Sequence, residues 1–173
     1  MKITKANIAI AKSLRNLLEL TFRDTYSTQN TSENIEQHVA SKFSLEVIIQ
    51  ELQDTSFQYF VISEKEVLIG FAKLVLNNPC EGIIQKNLEI ERFYIHPAHK
   101  GEGLGAKLMD FCTNWAAEQG FETVWLGVWE HNPAAIAFYS KMCFSLFGSH
   151  VFTVGDEDQT DLILIKELIV HHK

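Results

Sequence analysis

Hydrophobic residues recur at helical spacing along the first third of the chain. Residues 3–6 can form a short strand, and an apolar stripe from Ile8 to Phe22 then predicts an amphipathic helix. Two further helices are predicted, because Thr31 or Ser32 can cap one and Ser44 can cap the next. The N-terminal third is therefore expected to be mainly helical.

Apolar runs in the rest of the chain alternate between strand and helix patterns. One helix is predicted at 104–119, ended by Gly120, with an apolar side formed by Leu104, Leu108, Phe111, Cys112 and Trp115. Another helix is predicted at 133–142. The predicted strands are 58–63, 67–76, 88–95, 123–128, 144–152 and 160–168, with turns at 64–66 and 155–158. This order predicts a mixed α/β fold, with helices flanking a largely antiparallel central sheet.

The strand predicted at 88–95 changes phase partway along. Ile90 is apolar, and Phe93 and Ile95 are the next apolar positions, so the alternation shifts between Glu91 and Arg92. A β-bulge would produce this shift, and the backbone groups that it frees would suit an amide-rich ligand. A strand buried on both faces explains the pattern equally well.

Composition narrows the possible functions. The 173 residues, of which 46% are apolar and 21% charged, predict one domain over 1–173. A net charge of −7 argues against nucleic-acid binding and favours a cationic partner, although ordinary solubility explains it equally well. Lys12, Arg15 and Asn16 interrupt the apolar N-terminus, so we expect no signal peptide and no membrane span.

The cysteines and histidines do not suggest a metal site. Three cysteines form no CxxC pair, which favours a reducing compartment such as the cytoplasm. The seven histidines have no metal-ligand spacing, and His171 and His172 are expected to form a frayed tail. We therefore predict no metal cofactor.

Three alternating glycines follow the 88–95 strand and open the 104–119 helix. Gly101, Gly103 and Gly105 would let a diphosphate approach the unpaired N–H groups of that helix, and Lys100 and Lys107 add positive charge. The order of residues fits neither GxxxxGK[ST] nor GxGxxG. A diphosphate site of another kind and an ordinary flexible turn both remain open.

A second informative segment runs from Asn132 to Phe144. Asn132 followed by Pro133 is a good helix start, and Ala135, Phe138 and Met142 are spaced to share a buried face. Tyr139 lies beside that face. It is either part of the core or an acid in a cleft.

Together these segments resemble the two acetyl-CoA motifs of the Gcn5-related N-acetyltransferase (GNAT) superfamily. Residues 88–109 contain the first motif as Lys100-x-x-Gly103-x-Gly105, with lysine in place of the usual glutamine or arginine. Residues 132–144 match NxxAxxFY and the later phenylalanine, with Cys143 in place of the usual glycine. We expect Cys143 to alter the turn.

The resemblance implies roles for individual residues. Tyr139 would protonate the departing CoA thiolate, and Glu89 or Glu91 would take a proton from the amine, directly or through water, with Glu89 preferred. The expected acetyl-CoA contacts are pantetheine at Phe93, Tyr94 and Ile95; diphosphate at Lys100, Gly101, Glu102, Gly103, Leu104, Gly105 and Ala106; and further contacts at Asn132, Ala135 and Lys141.

The substrate is suggested by a more specific resemblance. The whole chain is similar to the bacterial spermidine/spermine N-acetyltransferase (PaiA-type) subgroup, which implies acetylation of a polyamine by direct attack in a ternary complex. Phe22 and Tyr26 would line the acceptor site or belong to the core. A protein or peptide acceptor and a non-catalytic acetyl-CoA-binding regulator are the alternatives. We expect a cytoplasmic monomer or homodimer that binds neither nucleic acid nor membrane.

Overall fold

The computed structural model describes residues 1–28, 30–154 and 157–169. Within these residues, five α-helices and seven β-strands form an α/β structure. The elements are β1 (Lys2–Lys5), α1 (Ala11–Tyr26), α2 (Ser32–Lys42), α3 (Leu45–Gln53), β2 (Phe57–Glu64), β3 (Val67–Val75), β4 (Asn87–Ile95), α4 (Leu104–Glu118), β5 (Thr123–Trp129), α5 (Pro133–Lys141), β6 (Ser145–Val154) and β7 (Glu157–Glu167). One-turn 3-10 helices occupy Ile8–Ile10 and Pro97–His99.

The predicted helix starts are confirmed at the level of single hydrogen bonds. The Thr31 side chain accepts from the backbone N–H of Asn34, and the Ser44 side chain accepts from that of Val47. Each bond satisfies one of the N–H groups that a helix leaves without an intrahelical partner. The local sequence therefore sets the boundaries of α2 and α3.

The sheet has the strand order β1-β2-β3-β4-β5-β7-β6. β1 and β2 are antiparallel, as are β5 with β7 and β6 with β7, whereas β4 and β5 are parallel from Asn87 to Glu89. The predicted mixed, largely antiparallel α/β fold is thus confirmed. The described register shift lies in β6, between Leu146 and Gly148, while the bulge predicted in β4 stays a prediction.

The chain divides into two compact units. The first contains Met1–Leu74 and Arg92–Leu108, and the second contains Val75–Glu91 and the residues from Met109 onward. One domain over 1–173, which length and composition predict, stays a prediction.

Each unit has its own buried residues. In the first unit, helices α1 to α3 pack their apolar faces on β2 and β3 through Leu14, Leu18, Ile48, Tyr59 and Phe71. In the second, the fully buried side chains include Leu88 on β4 and Val124 and Leu126 on β5. Burial of each such large apolar side chain contributes about 1.5–3 kcal/mol.

One sequence prediction needs correction, and two others concern residues outside the described ranges. Phe111 was expected on the apolar side of α4, but it is 37% exposed, because the buried stripe of α4 runs through Leu108, Met109 and Cys112 and turns Phe111 away. The turn predicted at 155–158 includes Gly155 and Asp156, which, like His171 and His172, lie outside the described residues.

Candidate active site

The glycine loop connects the end of β4 to α4 in the first unit. Gly101 and Gly103 have φ angles of 86° and 75°, in the left-handed region that an L-residue enters at a penalty of about 1–2 kcal/mol. A Cβ built on either glycine would meet nothing within 4 Å. The backbone here is therefore open to an approaching group, as a diphosphate cradle requires.

The residues around these glycines are held in different ways. The Lys100 Nζ lies 2.7 Å from the Asp24 carboxylate on α1, and both side chains are exposed. Glu102 lies 3.3 Å from the His99 ring. Leu104 is buried at the start of α4, while Gly105 and Ala106 are half-buried. The loop thus has a buried anchor at Leu104 and an exposed, charged rim.

The last residues of β4 are half-buried and closely packed. The Tyr94 ring lies 5.7 Å from the Phe71 ring, measured between centroids. Gly70 on β3 has no room for a side chain, since an added Cβ would lie 2.6 Å from Ile95 Cδ1 and 3.1 Å from the Tyr94 carbonyl oxygen. Gly70 therefore lets Tyr94 and Ile95, both predicted to contact pantetheine, approach β3.

The two candidate bases on β4 differ in their surroundings. Buried Leu88 and Ile90 alternate with half-buried Glu89 and exposed Glu91. The Asn78 side-chain amide donates to Glu89 Oε2 at 2.7 Å. The structure thus orders the Glu89 carboxylate from a loop residue that the sequence did not single out.

Helix α5 carries the candidate acid in the second unit. Asn132 accepts from the backbone N–H of Ala135 at 3.1 Å, so the first half of the motif forms a helix cap. The half-buried Tyr139 ring lies between Phe138 and Phe144, with centroid distances of 5.3 and 5.7 Å. Lys141 is exposed in the last turn. None of the residues of α5 is fully buried, so this helix has solvent-accessible surface that a ligand can cover.

Cys143 follows α5 in a left-handed conformation, with φ at 66°. The residue adopts the region of φ that glycine enters without strain, and the Phe144 N–H closes the turn on the Tyr139 carbonyl at 3.0 Å. The substitution is therefore accommodated as local strain. That cysteine alters this turn relative to glycine stays a prediction.

The candidate acceptor residues belong to an aromatic cluster in the first unit, which we define as Phe22, Tyr26, His38 and Phe43. The Phe22 ring stacks on His38 at 4.3 Å and contacts Tyr26 at 4.7 Å. Burial lowers the pKa of His38, and the nearby charges of Arg92 and Lys42 lower it further. Phe22 and Tyr26 are both half-buried, so both the lining role and the core role remain compatible with their position.

A buried ionic cluster, Glu51 with Tyr59, Lys73 and Arg92, was not predicted. Lys73 Nζ lies 2.6 Å from Glu51, the Tyr59 hydroxyl donates to the same carboxylate, and Arg92 lies 3.7 Å from it. The Lys73 side chain is only 3% exposed. The signal in the sequence was a single lysine within the otherwise apolar run of β3, because a buried lysine needs a carboxylate partner.

Among the described residues, no group of three or more histidine, cysteine, aspartate or glutamate side chains is arranged to hold a metal ion. No helix within the described ranges is both long and apolar enough to cross a membrane.

The family can now be decided by comparison. Residues 11–144 match the model of the acetyltransferase (GNAT) family. The chain belongs to this family. A GNAT relative, an uncharacterized N-acetyltransferase from Lactobacillus delbrueckii subsp. lactis, is 34% identical over 151 residues, which are 86% of this chain and 87% of the relative. The chain is therefore an acetyl-CoA-dependent N-acetyltransferase.

Solved structures with the GNAT fold are also similar. The PaiA N-acetyltransferase from Thermoplasma acidophilum, solved in complex with coenzyme A, has a TM-score of 0.79 at 23% identity and covers 96% of this chain and 98% of its own. The ribosomal-protein-S18-alanine N-acetyltransferase from Escherichia coli has a TM-score of 0.71 at 14% identity, covering 99% and 96%. At these identities the likeness establishes the GNAT fold alone.

Proposed function

We propose that this N-acetyltransferase acetylates a primary amine, with a polyamine such as spermidine or spermine as the acceptor, by direct attack in a ternary complex. The observation that carries the proposal is the Glu89 carboxylate, held by Asn78 on the strand that leads to the glycine loop. A carboxylate there both attracts a cationic amine and accepts its proton. The net charge of −7 supports a cationic acceptor.

The acetyl-CoA contacts in this proposal are the ones that the family resemblance implies. They are the backbone of Phe93, Tyr94 and Ile95 for pantetheine and the loop from Lys100 to Ala106 for the diphosphate. The resemblance also assigns contacts to Asn132, Ala135 and Lys141. The open backbone at Gly101 and Gly103 supports this fit. Bound acetyl-CoA supplies the acetyl group as a thioester.

Proton transfer is assigned to two side chains of the second unit. Glu89, with Glu91 as the second candidate, accepts a proton from the incoming ammonium, because only the neutral amine has a lone pair for attack. The Tyr139 hydroxyl donates a proton to the departing sulfur. A phenol with a pKa near ~10 and a thiol near ~8.5 are close enough for this exchange.

A peptide or protein amine is the second candidate acceptor. The observation that favours it is the position of Arg92, whose guanidinium carbon lies 5.0 Å from the centroid of Phe43 in the aromatic cluster. A guanidinium beside candidate acceptor residues suits a substrate that carries a carboxylate as well as an amine. A reducing, cytoplasmic location is part of the proposal and is supported by three free cysteines.

The test measures CoA release with spermidine, spermine, free amino acids and an alanyl peptide, for wild type and Tyr139→Phe. We expect spermidine to give the highest kcat/KM, and added salt to raise its KM, because exposed charges are screened over about 8 Å at physiological ionic strength. Tyr139→Phe keeps the ring and should lower kcat about 10²–10⁴-fold, with an unchanged melting temperature.

Two outcomes would contradict parts of this proposal. Turnover of the peptide with none of spermidine would replace the polyamine with the second candidate. Wild-type kcat in Tyr139→Phe, where chemistry limits turnover, would remove Tyr139 from the mechanism. The control is a thermal melt with acetyl-CoA, which at about 100 times its Kd should stabilise both proteins by about 2.7 kcal/mol.

A further inference from the structure

Asn78 lies in the loop between β3 and β4, outside both acetyl-CoA motifs. Its side chain is exposed, and its Nδ2 donates to Glu89 Oε2 at 2.7 Å. Its backbone carbonyl accepts from the indole N–H of Trp125 at 3.1 Å. Asn78 therefore hydrogen-bonds to the candidate base through its side chain and to Trp125 of β5 through its backbone carbonyl.

The strand register explains why these three residues meet. Glu89 on β4 is aligned with Trp125 on β5 in the parallel pairing. Aligned residues on neighbouring strands project from the same face of a sheet. Asn78 lies over that face and bonds to both, so the Glu89 carboxylate is oriented by a bridge between two strands.

The loop itself is tied down beside this bridge. The Asn87 side chain, on a residue only 5% exposed, accepts from the Cys80 N–H at 2.7 Å. The same side chain donates to the Gln85 carbonyl at 2.9 Å. These bonds fix the loop on the β4 side, and Trp125 fixes it on the β5 side. Asn78 therefore reaches Glu89 from a restrained backbone.

We propose that Asn78 is a positioning residue for the general base Glu89, with Trp125 as its anchor. The inference rests on the proposed function, in which Glu89 accepts the proton of the amine. An amide that donates to a carboxylate favours the ionised form, which is the form that can accept a proton. It also holds the carboxylate in one orientation before the amine arrives, so less reorganisation is needed during proton transfer.

The experiment uses four variants of the full chain, Asn78→Ala, Asn78→Asp, Asn78→Gln and Trp125→Phe, with Gln85→Ala as the control in the same loop. The pH dependence of kcat/KM is measured with spermidine, or with the alanyl peptide if spermidine is not turned over. Asn78→Asp places a second carboxylate beside Glu89. The acid limb is the low-pH part of the profile, where kcat/KM falls as the base becomes protonated. Asn78→Asp should move this limb to higher pH by about one unit, because a like charge raises the pKa of a carboxylate.

The other variants should change the pH profile and kcat by smaller amounts. Asn78→Ala removes the donor and should shift the acid limb less, in the same direction, while lowering kcat on the order of tenfold, as loss of a hydrogen bond to a charged group does. Trp125→Phe should give a smaller decrease of the same kind. Asn78→Gln retains an amide and should recover part of the loss. Gln85→Ala should match wild type.

The outcomes separate this inference from the function on which it rests. An acid limb that moves with the choice of acceptor but not with Asn78→Asp belongs to the acceptor amine and overturns the positioning role. Wild-type kcat in Asn78→Ala, together with a strongly impaired Glu89→Gln, also overturns it while leaving Glu89 as the base. Wild-type kcat in Glu89→Gln instead removes the base and the inference with it. Thermal melts within 1 °C of wild type, checked for each variant, exclude a folding defect.

Discussion

Two glutamates in this chain are held in opposite ways. Glu51, on α3 in the first unit, meets a lysine, an arginine and a tyrosine hydroxyl, and its side chain is 15% exposed. Glu89, on β4 in the second unit, is half-buried and receives a neutral amide. Cations contact the Glu51 carboxylate, whereas the described hydrogen bond to Glu89 comes from a neutral amide.

This difference separates an acid that supports the fold from an acid suited to chemistry. A carboxylate bonded to a buried lysine cannot accept a proton without leaving that lysine uncompensated. A carboxylate bonded to an amide can gain and lose a proton with little change around it. The comparison therefore predicts that Glu51 governs stability and Glu89 governs the rate of acetyl transfer.

The largest expected effect is the loss of stability when Glu51 is neutralised. Glu51→Gln removes the Glu51 carboxylate from the buried Lys73, and removing one partner of a buried ion pair lowers the free energy of unfolding by about 3–5 kcal/mol. Chemical denaturation measures this difference. The control is Glu46→Gln, which is exposed on the same helix and should change stability by no more than about 0.5 kcal/mol. If both variants were equally stable, the structural role of Glu51 would be contradicted.

The next effect concerns the rate. Glu89→Gln should lower kcat about 10²–10⁴-fold, since a positioned base contributes that much, while the midpoint of thermal unfolding stays near that of wild type. The matched variant is Glu91→Gln, two residues further along β4, where the side chain is exposed. We expect Glu91→Gln to retain most of its activity. If Glu91→Gln loses the activity and Glu89→Gln keeps it, the two residues exchange roles.

The smallest expected effect is a pH dependence of the free energy of unfolding. It arises from His38, whose pKa is affected by Arg92 of the ionic cluster. Burial, Arg92 and Lys42 lower the pKa of His38 in the folded chain. As the pH falls, His38 is therefore protonated at a higher pH in the unfolded chain than in the folded chain. The contribution of His38 to stability is complete above its unfolded pKa of about 6.5 and is lost as the pH falls through the lower folded pKa. His38→Phe keeps the stacking on Phe22 and should flatten this part of the stability profile, which begins as the pH falls below about 6.5. The exposed His131→Phe serves as the control, and an equal change in both would exclude His38.

The sequence predicted the fold because its information is local. Caps at Thr31 and Ser44 and the apolar stripes of the helices place the elements, and the motif residues from Gly101 to Tyr139 identify the family. Phe111 was misplaced because helical spacing gives a period but does not show which neighbouring element covers each position. The spacing of apolar residues alone does not show which side of α4 is buried.

Contacts between distant residues were the part that the sequence could not supply. Asn78 is one of two adjacent asparagines before a proline, a common loop pattern, and its bond to Glu89 depends on how the loop folds back on β4. Glu51 and Lys73 are 22 residues apart and meet only after α3 packs on the sheet. The roles of the predicted acetyl-CoA contacts remain predictions, since they depend on a bound ligand.

The three cysteines make this chain convenient for labelling without mutagenesis. Cys80 and Cys112 are buried, and burial raises the pKa of both thiols, so neither is readily converted to the reactive thiolate. Cys143 is exposed, and the residue that follows it hydrogen-bonds to Tyr139. A maleimide fluorophore would therefore attach to the wild-type chain at one position, beside the candidate acid, and its emission would follow changes at the end of α5 when acetyl-CoA is added.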